Sequence, residues 1–171
     1  FKFCCSFSLL DFFLEADHGI VVTMPEPHAI QDGFFFLRSA LVRKICRATP
    51  EDLFIQQYFG RQVSEKTENI SSFLEALGKI SPEKREDIEQ VIASFRPKII
   101  LNQVMSLSEL KDGHFFVKTV QDMLGVAADY LGYINFDPTV RRATQNLRPL
   151  LIDYPKSKAA TCIFSIIVYR L

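Results

Sequence analysis

The stretch GIVVTMPEPHAIQD, Gly19 to Asp32, decides how this chain is read. It holds a short apolar run, a corner with one glutamate between two prolines, and the start of a helical pattern. An apolar run of this length, without alternation, predicts a strand buried on both faces, as parallel sheets have. After the corner, Ile30, Phe34, Leu37, Leu41 and Ile45 recur at helical spacing. Pro25 and Pro27 fix φ on either side of Glu26, so the corner is stiff.

Outward from that stretch the pattern repeats. KIILNQV, Lys98 to Val104, predicts a second buried strand whose apolar run ends at Asn102. YLGYI, Tyr130 to Ile134, predicts a third. A helix falls between them around Phe115, Phe116, Val120, Met123 and Leu124. Asp137-Pro138 is an N-cap followed by a first-turn proline, and opens a short helix through Ala143. RPLLIDYPKS reads as a loop leading into a last helix from about Lys158. Upstream, Ser8 to Asp17 has helical character.

Residues from about Thr49 to Phe95 read as helical hairpins. Ile70, Phe73, Leu74 and Leu77 form one stripe, and Ile88, Val91, Ile92 and Phe95 the next. Ser81-Pro82 starts the second helix and Arg96-Pro97 stops it. Nine acidic and six basic residues lie between Glu51 and Arg96, which predicts a solvated face. Strand and helix alternate three times, so the fold class is α/β, with a parallel sheet, flanking helices and right-handed crossovers. The expected organisation is one partial domain over residues 1–171 with a helical insertion at 49–96.

Composition narrows the function classes. Hydrophobic residues make up 48% and charged residues 23%, ordinary for a globular chain. The formal net charge is zero, which gives no basic excess for a nucleic-acid surface. Cys4, Cys5, Cys46 and Cys162 show no metal-ligand spacing and are expected to be reduced thiols in a cytoplasmic protein. FKFCCSFSLL resembles a signal peptide faintly, but acidic residues follow at once and no cleavage site does. No apolar stretch reaches the length of about 18 residues that a membrane span needs. The seven glycines form neither GxxxxGK[ST] nor GxGxxG, and GxSxG and HExxH are absent too. His18, His28 and His114 are scattered and read as surface or turn residues.

Candidate residues sit at the predicted strand ends, where α/β sheets keep their ligands. Asn102 offers a donor and an acceptor together, the complement of an adenine edge, or else caps the next turn. Asp137 has a sufficient role as an N-cap. Glu26 is rigidly placed to accept from a ribose hydroxyl or a partner amide, or else is a solvated loop acid.

In order, LLDFFLEADHGIVVTMPEPHAIQD, RPKIILNQV, YLGYINFDPTVRRA and RPLLIDYPKSKAA resemble the C-terminal portion of the MinD/ParA superfamily of deviant Walker ATPases. The nearest flavour is the MinD-like group that includes the flagellar-number regulator FlhG/FleN. Its pattern runs roughly VVTTPEPTAIxDAY, a strand ending in Asn, LGxIPxDxxVxxA, then YPxSxAA. The resemblance covers about residues 9 to 162. It implies the C-terminal half of a P-loop NTPase-like three-layer fold, with ATP and Mg²⁺ as cofactors and a homodimer formed on ATP. By position, Asn102 resembles the adenine-reading amide, and Asn135, Phe136 and Asp137 resemble the segment beside the base. Pro25, Glu26 and Asp32 resemble the corner near nucleotide and dimer face.

The sequence departs from the family at Met24, often Thr there, and at Asn135, usually proline. FKFCC does not resemble the family's switch segment, and no phosphate loop is present, so no ATPase activity is expected from this chain alone. The expected function is that of a fragment of an ATP-driven spatial regulator of division, flagella or partitioning. The alternative is a non-catalytic half-domain that binds a regulatory protein partner. A weaker third is a relative of the cobyrinate amidotransfer group. Family members often end in a membrane-binding amphipathic helix. Here AATCIFSIIVYRL lacks a cationic face and is expected to pack in the core, with membrane contact a lesser expectation.

Overall fold

The computed structural model describes residues 7–61 and 70–170. The readings made of Cys4, Cys5 and FKFCC fall outside the described residues. The elements run α1 (Phe7–Glu15), β1 (Ile20–Thr23), α2 (Pro27–Ala48), α3 (Leu53–Arg61), α4 (Ile70–Ile80), α5 (Pro82–Ala93), β2 (Lys98–Val104), a 3₁₀ turn (Leu107–Glu109), α6 (Leu110–Leu124), β3 (Asp129–Asn135), α7 (Pro138–Gln145), α8 (Leu150–Asp153) and α9 (Lys158–Arg170). The chain divides into two compact units. One comprises residues 1–19, 34–97 and 118–128, and the other 20–33, 98–117 and 129–171.

The first unit is helical. The α2 stripe predicted from spacing is buried at Phe34, Leu37, Leu41 and Ile45, with Ala40 beside it. Ile70, Phe73 and Leu77 of α4 and Ile88 and Ile92 of α5 are buried as well. Aromatic rings fill much of this core: Phe13 meets Phe36 edge-on at 4.9 Å, and Phe59 meets Phe73 at 4.7 Å. Side chains tie the helices together. Arg43 donates to both oxygens of Asp11, at 2.9 and 3.0 Å, a two-point geometry that guanidinium and carboxylate planes share. Asp52 caps α3 by accepting from Phe54 and Ile55 N–H, and pairs with Lys84 at 2.6 Å. The Ser81 side chain accepts from Lys84 N–H, so α5 starts where Ser81-Pro82 predicts.

The second unit holds a three-stranded parallel sheet in the order β1-β2-β3. β2 occupies Lys98 to Val104 as predicted and pairs on both sides. Ile20 to Thr23 run against Lys98 to Leu101 without a break. The β2–β3 register slips twice. Between Ile99–Tyr130 and Ile100–Gly132, β3 carries one extra residue; between Leu101–Tyr133 and Val104–Asn135, β2 does. Both bulges require unusual backbone. Gly132 has φ +134° and Gln103 has φ +59°. Helices cover both faces of the sheet. Ile166 of α9 packs with Ile100 and Leu131, and Ile20 and Ile134 lie against them. On the other face a Cβ added at Gly33 would come within 3.0 Å of the Phe116 ring and 3.7 Å of Val21, so α2 needs glycine where it crosses.

Three expectations are corrected. Among the described residues β1 is an edge strand, and Val22 is 55% exposed rather than buried on both faces, because α9 packs mainly on β3. RPLLIDYPKS contains the four-residue helix α8. α9 is a helix, but only a stripe through Ala159, Ala160 and Ile166 is buried, while Phe164, Ile167, Val168 and Tyr169 remain exposed. Among the described residues no helix is long and apolar enough to cross a membrane.

Candidate functional site

Parallel pairing puts the carboxyl ends of β1, β2 and β3 on one rim of the second unit. Thr23 to Pro27, Asn102-Gln103 and Asn135 to Asp137 therefore share that rim, as the sequence spacing implies. What each residue does there differs.

Asn102 lies on the bulge that ends β2. Its Oδ1 accepts the N–H of Gln103 at 2.9 Å, which holds the left-handed residue in place. The turn-capping role therefore exists. It uses one lone pair of the carboxamide oxygen and leaves the amino group with no partner among the described residues. A bulge commonly re-aims a side chain at a sheet rim. Thr23, the last residue of β1, is 6% exposed, and its hydroxyl also has no partner among the described residues. A buried hydroxyl without a hydrogen bond carries a cost of about 1–3 kcal/mol.

Asp137 is committed. One carboxylate oxygen accepts from Thr139 N–H at 2.8 Å, capping α7, and the other accepts from Ala159 N–H at 3.1 Å, near the start of α9. Hydrogen bonding from the Thr139 side chain, reinforced by the backbone amides of Thr139, Ala159 and Lys158, holds this carboxyl below the usual carboxylate range. The N-cap reading of Asp137 was legible; its second cap, 22 residues along the chain, was not. Asn135 points its amide N–H at the Cys162 sulfur of α9, 3.6 Å away. Phe136 donates its backbone N–H to Val104 and presents a ring that is 46% exposed.

At the first corner Glu26 and Asp32 are exposed and Pro25 is half-buried. The Glu26 carbonyl accepts from Ile30 N–H and opens α2. Pro27 supplies the first helical residue, a position where a missing N–H costs nothing. Cys46 and Cys162 are free thiols, and burial pushes the Cys46 thiol up. Among the described residues no group of His, Cys, Asp and Glu is placed to hold a metal ion.

Residues beyond these strand ends were missed by sequence reasoning. Arg142 on α7, Asp153 at the end of α8, and Tyr154, Lys156 and Ser157 before α9 line a cavity of about 360 Å³ with Thr139. Pro155 and the Asp-Tyr pair mark a turn in the sequence, but nothing in it aims those side chains together. The glycine inside YLGYI could have announced the β3 bulge, since an isolated strand glycine often marks one.

The residues can be tested against ATP, the cofactor the family resemblance implies. The base end fits: an unspent carboxamide amino group, an orphaned buried hydroxyl and an exposed ring lie on one rim. The triphosphate–Mg²⁺ end does not. No described loop carries the glycine-rich sequence that cradles phosphates, and among the described residues no three His, Cys, Asp or Glu side chains gather as a metal cluster. No protein-family model matches the chain, and no curated protein does either.

Proposed function

We propose that this chain is a nucleotide-base-binding α/β module of the MinD/ParA ATPase type, one that holds adenine on the rim of its sheet and does not hydrolyse ATP. The observation that carries the reading is Asn102. A bulge places it at the end of the central strand, and its amino group is left unspent. Adenine presents acceptor nitrogens beside a donor amine, and a carboxamide with a free N–H and one remaining lone pair matches that edge. Phe136 supplies an exposed face for stacking. P-loop ancestry, a homodimeric parent and a role in spatial regulation belong to this proposal and rest on the sequence resemblance.

Calorimetric titration with ATP and ADP tests it. The rim binds both with similar affinity, and Mg²⁺ makes no difference there, because no rim residue is placed to grip the β- and γ-phosphates. Asn102→Ala weakens both by about tenfold, the loss expected for one or two neutral hydrogen bonds. Binding of ATP alone, or dependence on Mg²⁺, contradicts the reading.

A second reading is a protein-interaction module. It is favoured by the exposed Val22 on β1 and the exposed apolar side of α9. Sedimentation velocity tests these surfaces: a sharp monomer peak across the micromolar range removes self-association through them.

A further inference from the structure

We infer that the cavity between α7 and the start of α9 is an anion site, built for a phosphoryl group. This inference does not depend on the adenine reading. The cavity is an open surface concavity of about 360 Å³. Apolar surface, Pro155 included, makes up much of its lining, and the polar groups there are mostly donors. Arg142 brings a guanidinium and Lys156 an ammonium, and neither has an acidic partner among the described residues. The Ser157 oxygen accepts from Ala160 N–H, which leaves its own O–H free to donate. The Tyr154 hydroxyl has no partner among the described residues. The one anionic wall, Asp153, faces Arg148 at 4.0 Å.

The charge around the cavity points the same way. From Pro138 to Arg170 the chain has six basic residues and one acidic residue, although the whole chain is neutral. Asp137, just before this segment, adds a second carboxylate, so the basic excess stands at four charges from residue 137 onward to Arg170. A concavity whose unspent groups donate and carry positive charge selects a ligand that only accepts and carries negative charge. A tetrahedral phosphoryl group offers several acceptor oxygens, and an arginine fork can engage two of them at once.

The probe is inorganic pyrophosphate, titrated calorimetrically into the full chain at low ionic strength. Saturable binding is expected, weakening as salt rises. Arg142→Gln and Lys156→Gln each weaken it by about tenfold, the loss of one charge-assisted contact. Arg141→Gln and Lys158→Gln, which remove equal charge outside the cavity, change it by less than about twofold. Asn102→Ala leaves it unchanged, so failure of the adenine reading does not touch this result. All four sites are exposed, and circular dichroism melting of each variant checks that the fold persists. Equal losses in all four charge variants would reduce the effect to general attraction and overturn the inference, as would the absence of saturation.

Discussion

The two ends of the β2–β3 ladder are built for different purposes. At the entry end, Tyr130 lies against α6 so closely that a Cβ on Gly113 would sit 2.6 Å from its ring, and His114 meets the same ring edge-on at 4.8 Å. Burial pushes the Tyr130 hydroxyl up, and that hydroxyl has no hydrogen bond among the described residues. At the exit end, side chains are held by hydrogen bonds and bulges, and several polar groups are left over. The entry end is packing, and its residues are replaceable only by shape. The exit end is polar, and its residues divide into those already spent on the fold and those free for a ligand. The contrast shows why a polar residue at a strand end is not by itself a site. Asp137 and Asn102 look alike in sequence, but only Asn102 retains hydrogen-bonding capacity.

The largest expected effect is at the entry end. Gly113→Ala drives a methyl into Tyr130 and destabilises the chain by about 3 kcal/mol, the upper range for overpacking. Urea unfolding measures it. The double variant with Tyr130→Ala costs less than the sum of the two single changes, because the clash has gone. Additive losses would mean that the close approach is not the cause.

At the exit end, Asp137→Ala removes caps from two helices and costs about 2 kcal/mol. The folded-state pKa of this carboxyl lies below its unfolded value, so its stabilisation is fully present above about pH 4. It is lost as the pH falls through the lowered folded value. Asp137→Asn cannot titrate, so its stability deficit relative to wild type narrows as the solution is acidified through that window. A constant deficit down to low pH would remove the ionised carboxylate from the account.

Smaller effects sharpen the distinction between spent and unspent groups. Asn102→Ala releases only its hold on Gln103 N–H, at an exposed position, and costs less than about 1 kcal/mol in stability while weakening adenine nucleotides. Glu26→Ala changes the melting midpoint least, within about 0.5 kcal/mol, since the side chain is exposed and opens α2 through its backbone carbonyl alone. A loss of several kcal/mol at either residue would place it with Asp137.

The sequence made the strands legible almost to the residue because each is a continuous apolar run with a sharp boundary. KIILNQV starts after Arg96-Pro97, and GIVVT stops at a proline corner. The same signal hid the exposure of Val22, since periodicity does not distinguish a central strand from an edge strand. The bulge at Gln103 was also hidden: glutamine has no preference for the left-handed region, and the residue takes it because Asn102 pays with a hydrogen bond from beside it. α8 was missed because four residues carry no period. The strand-end residues of the candidate site could be found by topology alone. The Arg142–Lys156 cavity could not, because it depends on where a loop returns.

The most direct test of the account is chemical-shift mapping of the backbone amides during titration with adenosine, which has no phosphate. The account predicts shifts concentrated at Thr23, Asn102, Gln103 and Phe136, with Gly113 and Tyr130 unmoved. Shifts centred on Gly113 and Tyr130, or none that saturate, would contradict the claim that the exit end of the sheet carries the ligand.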